Sequence, residues 1–201
     1  MPPIIIDIDE YKSYFEGYVP AHSEDFQSSS AQLANKEFNK IIKDSSYQDV
    51  VLMCGGSASG KSEFVEEYAE DADVIIFDST LSNENGAKVK IRNILRKKKK
   101  IIVCFIFPKN LRDAFSAFQG RDRKIPEYIF YKTHAGARET VLWIVKNFKD
   151  IDVLIYESKK DEKIENRLKF TLFEFKSKNE KIDFLLSIQY TEEEIYKKLV
   201  S

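Results

Sequence analysis

Residues 50–62 read Val50-Val51-Leu52-Met53-Cys54-Gly55-Gly56-Ser57-Ala58-Ser59-Gly60-Lys61-Ser62, an apolar run that passes straight into a complete G-x-x-x-x-G-K-[ST] loop. Behind it Phe64, Val65, Tyr68 and Ala69 recur at helical spacing. Strand, loop and helix thus follow in the order that a phosphate cradle needs. Three of the seven glycines fall in this loop; a backbone turning tightly to aim successive N–H groups at phosphate oxygens tolerates little else. The helix N-terminus adds its positive end. The stretch predicts that Gly55, Gly56, Ser57, Ala58, Ser59, Gly60, Lys61 and Ser62 bind a nucleoside triphosphate, ATP or GTP. Lys61 would reach the β and γ phosphates, and Ser62 would ligate Mg²⁺.

Outward from the loop, Val74 to Phe77, Ile101 to Phe107 and Val153 to Tyr156 are further apolar runs without polar alternation, the pattern of strands covered on both faces. Helical patterns lie between them, at Ala87, Ile91, Ile94 and Leu95, at Leu111, Ala114, Phe115 and Phe118, and at Val141, Ile144, Val145 and Phe148. Strands alternating with helices predict a three-layer α/β fold of the P-loop NTPase/kinase kind, with a mostly parallel central sheet. Residues 47–201 form this domain. Residues 1–46, with Pro2, Pro3, Pro20 and the Ser28-Ser29-Ser30 run before the apolar Leu33, Phe38, Ile41 and Ile42, read as a helical appendage. Lys169 to Phe175 predicts an edge strand, and Thr191-Glu192-Glu193-Glu194 a capping-box start for a final helix.

With 201 residues the chain is long enough for one well-buried core. Its 32 basic residues balance 33 acidic ones, so no overall field draws it to nucleic acid or an anionic membrane. The Lys97 to Lys100 run reads as a solvated helix end rather than a nucleic-acid patch. Cys54 and Cys104 both sit in apolar runs, which suits buried free thiols in a reducing compartment. No export signal and no run of membrane-spanning length is visible, and the expectation is a cytoplasmic, soluble protein.

In open α/β sheets ligands gather beyond the carboxyl ends of the strands. There the second apolar run meets Asp78-Ser79-Thr80. A carboxylate beside the phosphate loop can take the proton of an acceptor hydroxyl and stay near the metal, so Asp78 is the expected general base and a Mg²⁺ neighbour with Ser62. Its alternative is a simple cap of the following turn. Arg121, Arg123 and Arg138, in and after Gly120-Arg121-Asp122-Arg123-Lys124-Ile125-Pro126, suggest a lid that neutralises charge on the transferred phosphoryl group. His134 reads as a packing histidine. The expected acid at the end of the Ile101 to Phe107 strand is missing, since Phe107-Pro108-Lys109-Asn110 follows. Either Mg²⁺ relies on Ser62, phosphates and water, with Asp78 nearby, or the metal site is weakened.

Taken together, the ordered set resembles the zeta-toxin family of P-loop kinases. The likeness spans Ala31 to Glu157: Ala31-Gln32-Leu33-Ala34-Asn35-Lys36-Glu37-Phe38, the loop Gly55 to Ser62, Asp78-Ser79-Thr80-Leu81-Ser82, Arg121 to Pro126, and Thr133-His134-Ala135-Gly136-Ala137-Arg138-Glu139. The resemblance implies a kinase that transfers the γ-phosphoryl group to a hydroxyl of a small molecule, such as a UDP-N-acetylamino sugar or a related nucleotide, and an antitoxin partner. It also implies Asp78 as base and Arg123 with Arg138 as lid arginines. A polynucleotide 5′-hydroxyl kinase and a non-catalytic nucleotide-dependent interaction module remain the alternative readings.

Overall fold

The computed structural model describes residues 2–69, 72–123, 125–164 and 167–200. In chain order the first elements are β1 (Ile4–Asp7), α1 (Gln27–Asp44), β2 (Asp49–Cys54), α2 (Lys61–Tyr68), β3 (Val74–Asp78) and α3 (Glu84–Arg96). They are followed by β4 (Lys100–Pro108), α4 (Leu111–Gln119), α5 (Glu127–Asn147), β5 (Asp152–Lys160), β6 (Leu168–Phe173), α6 (Lys178–Ser187) and α7 (Glu192–Val200). The strands form one six-stranded sheet in the order β1-β3-β2-β4-β5-β6. All neighbours are parallel except β6, which returns antiparallel on β5.

The unbroken apolar runs have a direct structural counterpart. Leu52 and Phe105 point into a core that contains Phe38 of α1, Ile91 of α3, Val141 of α5 and Leu185 of α6. Their chain neighbours Met53 and Ile106 point the other way, onto Phe64 and Val65 of α2. Because successive side chains alternate across a strand, a sheet buried on both faces needs apolar residues at every position. The result is helix, sheet, helix in three layers. A third cluster, with Phe118, Phe130 and Ile195, ties α4, α5 and α7 together.

Several local signals act as expected. Thr191 caps α7, where its Oγ1 accepts the Glu194 N–H at 3.2 Å while Glu194 Oε2 accepts the Thr191 N–H at 2.8 Å, the reciprocal capping box. Both thiols are buried and free, and burial pushes each up to about 12. The Lys97 to Lys100 run is only in part the expected solvated helix end: Lys97 follows α3 as its C-cap, but Lys99 is buried against the Ser45 and Tyr47 carbonyls and Lys100 opens β4 and pairs with Asp152 at 2.9 Å. Among the described residues no helix is long and apolar enough to cross a membrane.

The N-terminal 46 residues depart from the expected helical appendage. Ile4–Asp7 is a strand of the main sheet, paired in parallel with β3 from Ile4↔Ile75 to Asp7↔Asp78. Helix α1 buries Ala34, Phe38 and Ile42 in the main core, with the Phe38 and Phe77 rings edge-on at 4.9 Å. The physical reason is geometric: without β1, strand β3 would present an open edge, and without α1 its aromatic face would meet water.

Candidate functional site

The loop after β2 is held both by its surroundings and by its own lysine. Gly55 N–H donates to the Thr80 carbonyl at 3.1 Å and Ser59 N–H to Gly56 at 3.3 Å. Gly60 has φ +92°, the left-handed region where glycine carries no steric penalty, and it starts α2 with no side chain capping the helix. At Gly56 any Cβ would lie 2.2 Å from the His134 ring. Ala58 also takes a left-handed φ of 57°, a strained conformation of the kind that collects at ligand sites.

Lys61 opens α2 and is buried. Its Nζ donates to the Gly55 and Gly56 carbonyls at 3.1 and 3.0 Å, folding the ammonium back over the loop. Burial lowers its pKa, while Asp78 opposes the shift. The buried Ser59 Oγ has no partner. An uncapped helix start, a folded-back lysine and an orphan hydroxyl suit an anion with several acceptor oxygens.

Asp78 ends β3 and is 7 % exposed. Ser62 Oγ donates to its Oδ2 at 3.3 Å, so the first turn of α2 and the end of β3 meet beside the loop. Burial raises the Asp78 pKa against the pull of Lys61 and the Ser62 hydrogen bond. One strand further out, Asp7 is its register partner. Burial first, and Asp78 second, push Asp7 up to about 6. Among the described residues no group of three or more metal-ligating side chains occurs. The residues present fit Mg²⁺ in a limited sense: Ser62 and Asp78 offer oxygens at one point, and a hexacoordinate ion would draw the rest from phosphates and water.

The three arginines separate. Arg121 and Arg123 lie between α4 and α5 and line the cleft over the loop and Asp78; Lys124 lies outside the described residues. Burial lowers the pKa of Arg121, helped by Arg123. Arg123 forms an ion pair with Asp9. Burial pushes the Asp9 carboxyl up, but Arg123 and Lys12 outweigh it and hold the group below its ordinary value. Arg138 goes elsewhere. It sits about three turns into α5, is 2 % exposed, and lines a different cavity.

His134 is buried between these regions. Its Nε2 lies 2.9 Å from the Ser57 carbonyl and must be the protonated nitrogen, since a carbonyl only accepts. That leaves Nδ1 to accept from Arg138 Nη1 at 3.3 Å. Burial, and then the Arg138 charge, lower its pKa far enough to keep it neutral. The ring props the loop at Gly56 and carries no proton toward the cleft.

The cleft that joins the loop to Asp78 encloses about 320 Å³. Sequence reading missed its second wall. Asp7, Asp9, Lys12, Glu24 and Gln27 line it from the N-terminal segment, and Lys132 and Thr133 from α5. Lys12 is 1 % exposed and is held by Asp9 and Ser23, each at 2.8 Å. The signal for Asp7 was present: Ile4-Ile5-Ile6-Asp7 repeats the apolar-run-then-acid pattern of Val74-Ile75-Ile76-Phe77-Asp78. Lys12 and Gln27 had none, since only folding brings them to the strand ends. No protein-family model matches the chain, and no curated protein is detectably similar to it.

Proposed function

We propose that the chain is a P-loop kinase of zeta-toxin type, using ATP or GTP with Mg²⁺ to phosphorylate a hydroxyl of a small molecule. The observation that carries this reading is the Asp78 carboxylate, bonded to Ser62 directly behind the glycine loop. Loop N–H groups and Lys61 would hold the phosphates, and Ser62 with Asp78 would hold the metal, which supplies charge neutralisation at the β and γ oxygens. Ionised Asp78 takes the acceptor's hydroxyl proton as that oxygen bonds to the γ-phosphorus; the bond to the β–γ bridging oxygen breaks and the diphosphate leaves. Arg121 and Arg123 stand over the same space and would neutralise the moving charge.

A walled cleft of about 320 Å³ favours a small acceptor over a strand of nucleic acid, and in the Lys97 to Lys100 run, at the amino end of β4 and away from the cleft, Lys99 and Lys100 are already paired. The resemblance suggests a nucleotide sugar. The test is incubation with labelled ATP and a panel of nucleotide sugars, nucleosides, dinucleotides and 5′-hydroxyl oligonucleotides. Transfer to a small acceptor that Asp78→Asn lowers by roughly 10²- to 10⁴-fold, with ATP affinity kept, is the expected result. ATP binding without transfer to any member would leave only a nucleotide-dependent interaction module.

A further inference from the structure

Beyond the carboxyl ends of β4 and β5 lies a second cavity of about 540 Å³, which shares no lining residue with the Asp78 cleft. Arg112 of α4, Arg138 of α5, Lys198 of α7 and Tyr190 meet on its wall. Arg138 is 2 % exposed, donates through Nη1 to the His134 carbonyl at 2.8 Å, and leaves its buried Nε without any partner. Its guanidinium lies 5.7 Å from the centre of the Tyr190 ring, and the Lys198 ammonium lies 4.5 Å from the same ring. Arg112 Nε donates to the Lys198 carbonyl at 3.3 Å, which draws the third cation to the same place.

Among the described residues no carboxylate lies within ion-pair distance of these three cations. The acids at hand are largely committed: Glu157 faces Lys109 at 3.9 Å, and Glu194 is held by the Thr191 cap, although it also feels the Lys198 charge. A buried guanidinium that lacks a counter-charge is costly, and burial lowers the Arg138 pKa to about 10. One aromatic face offsets only part of that cost. Helix α4 also begins here, its Asn110 cap accepting the Arg112 N–H at 2.9 Å, so the positive end of a nine-residue helix faces the same space. Arg112, Arg138, Lys198 and the start of α4 thus all call for negative charge, while the Lys109–Glu157 pair on the same wall is neutralised.

We propose that this cavity binds a small oxyanion, a phosphate- or carboxylate-bearing metabolite, through Arg138, Arg112 and Lys198. Its volume exceeds that of a bare oxyanion and falls in the range of small-molecule sites, so the anion is a substituent of a larger body. The site is separate from the proposed nucleotide cleft, and α5 joins the two. Thr133 and His134 brace the loop while Arg138, one turn on, anchors the second ligand.

The test measures binding of inorganic phosphate, pyrophosphate and citrate to the full chain by calorimetry. Lys61→Met serves as background, so that anions at the glycine loop do not contribute and failure of the kinase reading leaves the measurement intact. At least one of the three should bind this variant. Arg112→Ala with Lys198→Ala, both exposed positions, should weaken that binding about ten-fold or more, as should Arg138→Met. If Arg138→Met fails to fold, the double variant decides alone. Binding of phosphate or pyrophosphate assigns a phosphorylated ligand, and binding of citrate alone a carboxylate one. No binding of any probe on the Lys61→Met background, or equal affinity after the double substitution, overturns the proposal.

Discussion

Asp7 and Asp78 stand side by side at the ends of two adjacent parallel strands, register partners beside the loop that carries Lys61 and Ser62. Two acids in one partly dry place cannot both ionise freely. Burial, then Asp78, holds Asp7 at about 6.

The sign of the resulting pH dependence follows from that shift. The Asp7 carboxyl is pushed from its ordinary 3.8 up to about 6 in the folded chain, so between those values the folded chain binds more protons and its stability falls as pH rises. Asp7→Asn keeps the oxygen that accepts the Asp9 N–H at 2.8 Å and removes the charge. It should leave stability nearly unchanged near pH 4 and raise it by about 3 kcal/mol at pH 7. Urea unfolding across that range checks this; a gain independent of pH would mean the carboxylate is not the cause.

Asp9 and Arg123, which both line the cleft, form an ion pair. If Arg123 serves the phosphates, the two partners act in opposite directions on nucleotide. Asp9→Asn should tighten ATP binding several-fold at low salt by releasing the guanidinium, and Arg123→Ala should weaken it by about ten-fold. Titration of each variant with ATP gives the answer, and shifts of the same sign would reduce the pair to a structural tie.

Gly56 is required by its neighbour, not by its backbone. Since a Cβ would lie 2.2 Å from the His134 ring, Gly56→Ala should cost about 1–3 kcal/mol. Adding His134→Ala opens the space, so the two substitutions should be non-additive by more than about 0.5 kcal/mol in a double-mutant cycle. Additive losses in denaturant unfolding would place the cost in the loop conformation instead.

Phe38 tests the standing of the N-terminal segment. It is 1 % exposed and packs on Phe77 of β3. Phe38→Ala should cost about 3–5 kcal/mol and should lower the single unfolding transition as a whole. A variant that kept a full-strength transition for residues 47–201 would restore the reading of a separable appendage.

Much of the sheet was legible because each central strand is buried on both faces, which forces an unbroken apolar run: β2, β3, β4 and β5 all announce themselves in this way. The Thr191 capping box was legible because its partners are three residues apart. Asp78 was legible because it ends such a run. Strand β1 escaped, although Ile4-Ile5-Ile6 carries the same signal, since prolines and a short length masked it. Helix α6 escaped too: it buries Leu185, and one buried position makes no helical stripe.

Local chemistry in the chain, then, determined the glycine loop, the strand-then-acid step to Asp78 and the alternation that yields a layered α/β fold, because each is written in residues near one another. Tertiary structure alone decided which distant side chains share a space. It set Asp7 beside Asp78 through strand order, tied Arg123 to Asp9, and turned Arg138 away from the cleft into a cavity with Arg112 and Lys198. Direction along a helix and neighbourhood in a sheet depend on how elements pack, and no spacing within a single stretch encodes them.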